Sequence, residues 1–133
     1  MRRRVGGNSD HNLATFMGLL MLNNWAEMVG NVRQAAGTLE ELHPKMLTAF
    51  RSVNEAQGGV GVLDAKTREL IALAVAVTTR CDGCIGSHAL AATKAGASEA
   101  EVAEALGVAI ALNAGAAYIY SLRALDAVKE FNK

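Results

Sequence analysis

Proline is almost missing from this chain: Pro44 stands alone among 133 residues, cysteine occurs twice, and aromatic side chains make up 5%. With 51% apolar residues, much Ala and Gly and so little aromatic content, disorder and an all-β fold are excluded. Closely packed helices, an all-α class, are expected instead. Charge of one sign is missing too. Thirteen basic and thirteen acidic side chains cancel, and the obvious cluster of one sign is Arg2-Arg3-Arg4, so nucleic acid is not an expected partner. Long apolar runs are also wanting. A membrane span takes roughly 20 apolar residues, and no stretch reaches that without polar interruption. "LATFMGLLML" does not complete a signal peptide with the arginines, because polar "GGNSDHN" intervenes, no small-x-small site follows and "NNWAEMV" continues amphipathically. No membrane association and a cytoplasmic location are therefore expected. In that reducing compartment a lone cysteine pair points to catalysis, redox activity or metal binding rather than a permanent staple.

The length suits one domain, expected over 13–133, behind a flexible polar tail over 1–12. Between Leu13 and Ala36 apolar residues recur at helical spacing, among them Trp25, Val29 and Val32, with Gly37 as the stop. Pro44 fits the first turn of a further helix with Met46, Leu47, Phe50 and Val53 on one face, ended by a "QGGVG" loop. Asp64 caps "AKTRELIALAVAVTTR", whose middle, Leu70 to Val77, is apolar all round and so marks a central helix. Another helix runs from about Asp82 to Ala95, stopped by a left-handed Gly96. Ser98 and Glu101 form a capping box that opens a helix carrying Val102, Leu106 and Ile110. A last helix is expected from near Gly115, turning Tyr118, Leu122 and Leu125 inward. Gly107, Ala111, Ala114 and Gly115 would let backbones approach closely in the core or across subunits. Met17, Met21, Met28 and Met46 read as apolar filler.

The chemistry concentrates in "RCDGCIGSHALAATKAG", Arg80 to Gly96. On a helix Cys81, Cys84 and His88 fall at i, i+3 and i+7 and share one face. Cys81 lies at the helix start, where unpaired N–H groups favour thiolate over thiol. An oxidised sulfur there can be captured by the other as a disulfide, and His88 can carry the protons these steps move. Glu69 is the acid within the preceding apolar helix. If the two helices fold back antiparallel near Arg80, Glu69 lies about 17 Å and His88 about 11 Å below the turn. Glu69 then orients His88 rather than touching Cys81, or is simply a solvated acid in an early helical turn. Zinc is the competing use of the same residues. Cys81, Cys84 and His88 would supply three ligands and His11 or His43 a fourth, although structural zinc sites usually present CxxC on a turn.

"LDAKTRELIALAVAVTTRCDGCIGSHALAATKAGASEAEVAEAL", Leu63 to Leu106, resembles the core of the alkylhydroperoxidase D-like and carboxymuconolactone decarboxylase family. The shared pattern is a glutamate, eleven residues, CxxC, three residues and a histidine, here Glu69, Cys81, Cys84 and His88. The resemblance implies a single-domain helical bundle assembled as a homo-oligomer, a trimer or, at this size, a hexamer. It also implies thiol-dependent reduction of a small-molecule hydroperoxide, an antioxidant role without a bound cofactor. Cys84 would be the peroxidatic and Cys81 the resolving cysteine, with Glu69 and His88 as proton relay and a lipoyl-bearing or thioredoxin-like protein as reductant. The best-known peroxidase members carry a second histidine immediately before the second cysteine, where this chain has Gly83. The family's other namesake activity, lactone decarboxylation, would not need the cysteine pair. A non-enzymatic oligomeric protein with two buried cysteines is the remaining alternative.

Overall fold

The computed structural model describes residues 22–58 and 61–132. The expected tail, His11 and the apolar segment from Leu13 to Met21 lie outside them. All regular structure among the described residues is helical, in five helices: α1 (Trp25–Leu42), α2 (Pro44–Gly58), α3 (Ala65–Thr78), α4 (Asp82–Lys94) and α5 (Glu99–Phe131). The all-α expectation holds.

Asn24 caps α1, its side chain accepting from the Glu27 N–H at 3.3 Å. The helix passes Gly37, the predicted stop, and ends at His43. A glycine inside a helix costs only about 1 kcal/mol, whereas the residue before a proline is pushed out of the helical region, so Pro44 sets the boundary. The α1–α2 hairpin is clasped by Arg51, whose Nη1 and Nη2 meet the two Glu40 carboxylate oxygens at 2.6 and 2.8 Å. Helix α2 buries Leu47 but leaves Met46, Phe50 and Val53 exposed. It extends to Gly58, through the first two residues of the predicted "QGGVG" loop. Arg68 then reaches back from α3, donating to the Gln57 carbonyl through Nη1 and to the Leu63 carbonyl through Nε at 3.1 Å.

Asp64 caps α3 as predicted, accepting from the Thr67 N–H at 2.7 Å. Helix α3 packs on both α4 and α5, while α1 packs on α2 and α4. Leu73 and Ala76 of α3 and Ala92 of α4 are buried between them. The α1–α4 crossing depends on Gly86: a Cβ there would stand 2.9 Å from Val29 Cγ2 and 3.5 Å from Trp25 Cε3. The capping box at α5 is formed in both directions, Glu101 N–H to Ser98 Oγ at 3.2 Å and Ser98 N–H to Glu101 Oε2 at 2.8 Å. Lys66 binds the other Glu101 oxygen at 2.6 Å and so ties α5 to the start of α3.

No break occurs at Gly115. Helix α5 runs unbroken for 33 residues, since the glycine's cost is small and the flanking alanines are the best helix formers. From Ala111 to Asn132 every residue is exposed in the protomer, so Tyr118, Leu122 and Leu125 point outward rather than inward, and Ile110 is 70% exposed. The expected apolar-all-round character of α3 is half covered, with Ile71 and Val75 exposed. Because it is continuous, α5 is also long and apolar enough, by length and composition, to cross a membrane.

Two stability predictions follow from this packing. Gly86→Ala presses a methyl group into Val29, a β-branched side chain with little freedom to turn, and should lower stability by about 1–2 kcal/mol in urea unfolding. Gly37→Ala, with nothing within 4 Å of its new Cβ, should raise it by up to about 1 kcal/mol. Acid should act through Glu101, whose carboxyl is pulled from 4.5 to about 2 by its hydrogen bond to Lys66 and then by the Ser98 bonds. A depressed carboxyl stabilises the fold above its unfolded pKa and loses that contribution as pH falls toward its folded one. The thermal midpoint should therefore drop between about pH 4.5 and about pH 2, and Glu101→Gln should start lower and fall less across that window.

Candidate functional site

The site is made where α3 turns into α4. Thr79 ends α3, and Arg80 follows at φ 56°, in the left-handed region. Its N–H donates to the Val77 carbonyl at 3.3 Å and the Cys81 N–H to the Ala76 carbonyl at 3.1 Å. The same pair of bonds closes α4, from Gly96 to Thr93 at 3.1 Å and from Ala97 to Ala92 at 3.0 Å, with Gly96 at φ 80° as predicted. An arginine thus occupies, at the first reversal, the position that glycine fills at the second. The left-handed conformation costs a residue bearing a Cβ roughly 1–2 kcal/mol.

The reversal delivers Cys81 to the N-cap of α4, where its Sγ accepts from the Cys84 N–H at 3.2 Å. One helical turn brings Cys84 alongside, with the Cα atoms 5.2 Å apart and the two sulfurs joined in a disulfide. One turn further in, His88 Nδ1 lies 2.7 Å from Glu69 Oε2 across the α3–α4 interface. The two side chains are 35% and 22% exposed, partly shielded and still within reach of solvent. Glu69 therefore contacts His88, and the alternative of a freely solvated acid is set aside. A neutral imidazole that donates Nδ1–H to a carboxylate leaves Nε2 as the proton acceptor.

Glu69 also borders a recess of about 350 Å³ shared with Gln57, Gly58, Gly61, Leu63 and Arg68. The backbone bonds of Arg68 hold the rim of this recess. A second, more apolar groove of about 450 Å³ runs between Trp25, Val29 and Arg33 of α1 and Gly86, Leu90 and Thr93 of α4. Helical geometry places those α4 residues on the side opposite Cys84 and His88. Gly83 faces α1 as well: a Cβ there would sit 3.4 Å from Val32 Cγ2.

No group of three or more metal-ligating side chains comes together among the described residues, and the two sulfurs are spent on each other. His43 lies between α1 and α2, its N–H donating to the Leu39 carbonyl. Two features escaped the sequence: the backbone conformation of Arg80, and the approach of Val32 to position 83. The first had a signal, since a cap at Cys81 leaves very few residues in which to reverse direction. The second had none, because helix-to-helix packing is not encoded locally.

A profile of the carboxymuconolactone decarboxylase family matches residues 44–127. The chain belongs to this family. The chain is similar to an uncharacterised protein of Haemophilus influenzae, 62% identical over 107 residues that cover 80% of this chain and 95% of that one. A Paracoccus denitrificans protein described as uncharacterised protein 4 in the cox locus is 38% identical over 63% of this chain and 76% of its own. Among solved structures, the apo form of a carboxymuconolactone decarboxylase family protein from Legionella pneumophila superposes with a TM-score of 0.64. The identity is 35%, and the match covers 82% of this chain and 97% of that one. A Methanobacterium thermoautotrophicum protein superposes with a TM-score of 0.58 at 37% identity, over 61% and 91% of the two chains. The matched region contains Glu69, Cys81, Cys84 and His88.

The oxidised pair has a direct check. With Cys81 and Cys84 bonded to each other, the oxidised protein should take up no alkylating reagent, and after reduction should take up two equivalents by mass spectrometry.

Proposed function

We propose that this family member is a thiol-dependent hydroperoxide reductase and disulfide oxidoreductase that cycles Cys81 and Cys84 between dithiol and disulfide. The observation that carries this is the disulfide at the N-cap of α4, with the Glu69–His88 pair one turn deeper on the same helical face. Helix-terminal N–H groups favour the sulfur as an anion. A carboxylate-held imidazole beside it can take up and return protons.

In the proposed cycle the Cys84 thiolate attacks the terminal oxygen of a hydroperoxide, forming an S–O bond while the O–O bond breaks. The alkoxide leaves as an alcohol once protonated by way of His88. The Cys81 thiolate then displaces the oxygen of the Cys84 sulfenic acid, giving the disulfide and water. Two electrons have left the protein, and a dithiol donor returns them by thiol–disulfide exchange. A lipoyl-bearing or thioredoxin-like protein fits that requirement in a cytoplasmic setting, and no bound cofactor enters the cycle. Cys84 is the peroxidatic and Cys81 the resolving cysteine in this reading.

The same reading takes the exposed apolar side of α5 as a contact between copies in a trimer or hexamer rather than as a membrane span. Asn113, in the middle of that apolar stretch, supports a protein-packed helix: its amide donates to Thr78 Oγ1 at 3.1 Å and to the Ala109 carbonyl at 2.8 Å.

The test is the free-thiol titre of reduced, metal-stripped protein before and after one equivalent of an organic hydroperoxide. Wild type should lose both thiols rapidly, Cys84→Ser should react slowly, and Cys81→Ser should accumulate a sulfenate. Glu69→Gln and His88→Gln should slow the loss on the order of 100-fold. Thiols that survive an excess of peroxide would overturn the assignment.

A further inference from the structure

We propose that Arg80 is a specificity-determining residue of this site, selecting a dithiol donor that carries a carboxylate; the inference rests on the dithiol cycle above. Among the described residues Arg80 is the one non-glycine with a positive φ. The reversal itself does not require its side chain, because Gly96 makes the same hydrogen-bonded stop at the end of α4. A residue held in a disfavoured conformation next to reactive groups points to a use for its side chain.

The surroundings identify that use. Arg80 is exposed, and no hydrogen bond or ion pair engages its guanidinium among the described residues. It is covalently next to Cys81, in the oxidised form that a reductant meets. Around the disulfide in the chain Thr78, Thr79, Arg80 and Asp82 are all exposed, whereas Glu69 and His88 pair across the interface with α3. A donor that reaches Cys81 from solvent comes within one residue of the exposed Arg80. Its planar fork matches a carboxylate through two parallel N–H···O bonds. Asp82 opposes it, but lies in the first turn of α4, where the N–H end of the helix offsets a negative charge.

The step served is exchange. One donor thiolate attacks a protein sulfur, the other protein sulfur leaves as thiolate, and the second donor thiol then closes the donor's disulfide. Two electrons and two protons pass from donor to protein. A carboxylate on the donor, seated on Arg80, raises the local concentration of the attacking thiolate without changing this balance.

The experiment reduces the peroxide-oxidised protein with dimercaptosuccinate, an anionic dithiol, and with neutral dithiothreitol. It reads the ratio of the two second-order rate constants, so that intrinsic thiol reactivity cancels between variants. Arg80→Gln should lower the anionic-to-neutral ratio about five-fold, through the rate constant for dimercaptosuccinate, as expected for one exposed charge pair. Arg80→Lys should keep part of the preference, Asp82→Asn should increase it, and raised salt should erase it in wild type. Arg80→Gly relieves the backbone and removes the cation. It should lose the preference while melting no lower than wild type, which separates recognition from folding. An unchanged ratio in Arg80→Gln and Arg80→Gly would overturn the role of Arg80. A disulfide that neither dithiol reduces would overturn the dithiol cycle itself.

Discussion

Helices α3 and α4 meet with only Thr79, Arg80 and Cys81 between them, and the chain reverses by putting Arg80 into the left-handed region at φ 56°. The geometry of the site descends from that reversal. It spends the Cys81 N–H on the end of α3 and leaves the Cys81 side chain to cap α4. It runs the two helices back along each other, so that an acid well down α3 and an imidazole two turns into α4 come to 2.7 Å. Neither the cap nor the Glu69–His88 contact would survive a shift of register by one residue, because a helix turns each residue by about 100° from the last. Ala76 and Ala92 are small enough to be buried in this interface, and so permit the close approach on which the Glu69–His88 contact depends.

The same protomer leaves much apolar surface uncovered. Its buried apolar residues among those described are few and half of them alanine, while Ile110, Leu112, Ile119, Leu125 and Phe131 of α5 are exposed. A patch of this extent on a helix whose residues from Ala111 to Phe131 are all exposed in the protomer marks a surface meant for burial. It agrees with the proposed assembly, in which a short chain completes its core with further copies. The paired bonds of Asn113 have a place in that picture: a polar group in an apolar contact is tolerated where its hydrogen bonds are made within the protomer.

Local signals were legible from the sequence. Asp64, Ser98 with Glu101, and Gly96 each act over three or four residues, and each caps or stops the helix expected of it. Glu69 and His88 were also legible as a pair, because the helical rise puts His88, about 11 Å below the turn, nearer than Cys81 to the depth of Glu69, about 17 Å, once the chain reverses at Arg80. Glycine misled at Gly37 and Gly115. Both lie inside helices whose flanking residues outweigh a cost of about 1 kcal/mol. The inward side assigned to Tyr118, Leu122 and Leu125 failed for a different reason. Hydrophobic periodicity shows that a face is to be buried, and does not say whether the covering partner is the same chain or another.

Position 83 shows how packing distributes the chemistry. In the peroxidases that this chain resembles a second imidazole precedes the second cysteine, whereas here Gly83 lets α1 close down until Val32 reaches contact distance of where a Cβ would stand. A Cβ at this position would meet Val32 at ordinary contact distance, so α1 borders the space that a side chain there would enter. Gly86, one turn along α4, holds α1 still closer through Val29 and Trp25. With glycine at position 83, proton transfer in the proposed cycle falls to the Glu69–His88 pair, on the face toward α3. The face toward α1 is given to apolar packing. The glycines of α4 thus separate the two tasks of the helix, chemistry on one side and cohesion on the other, and Cys81 at its N-cap joins the reactive face to the exposed flank at Arg80.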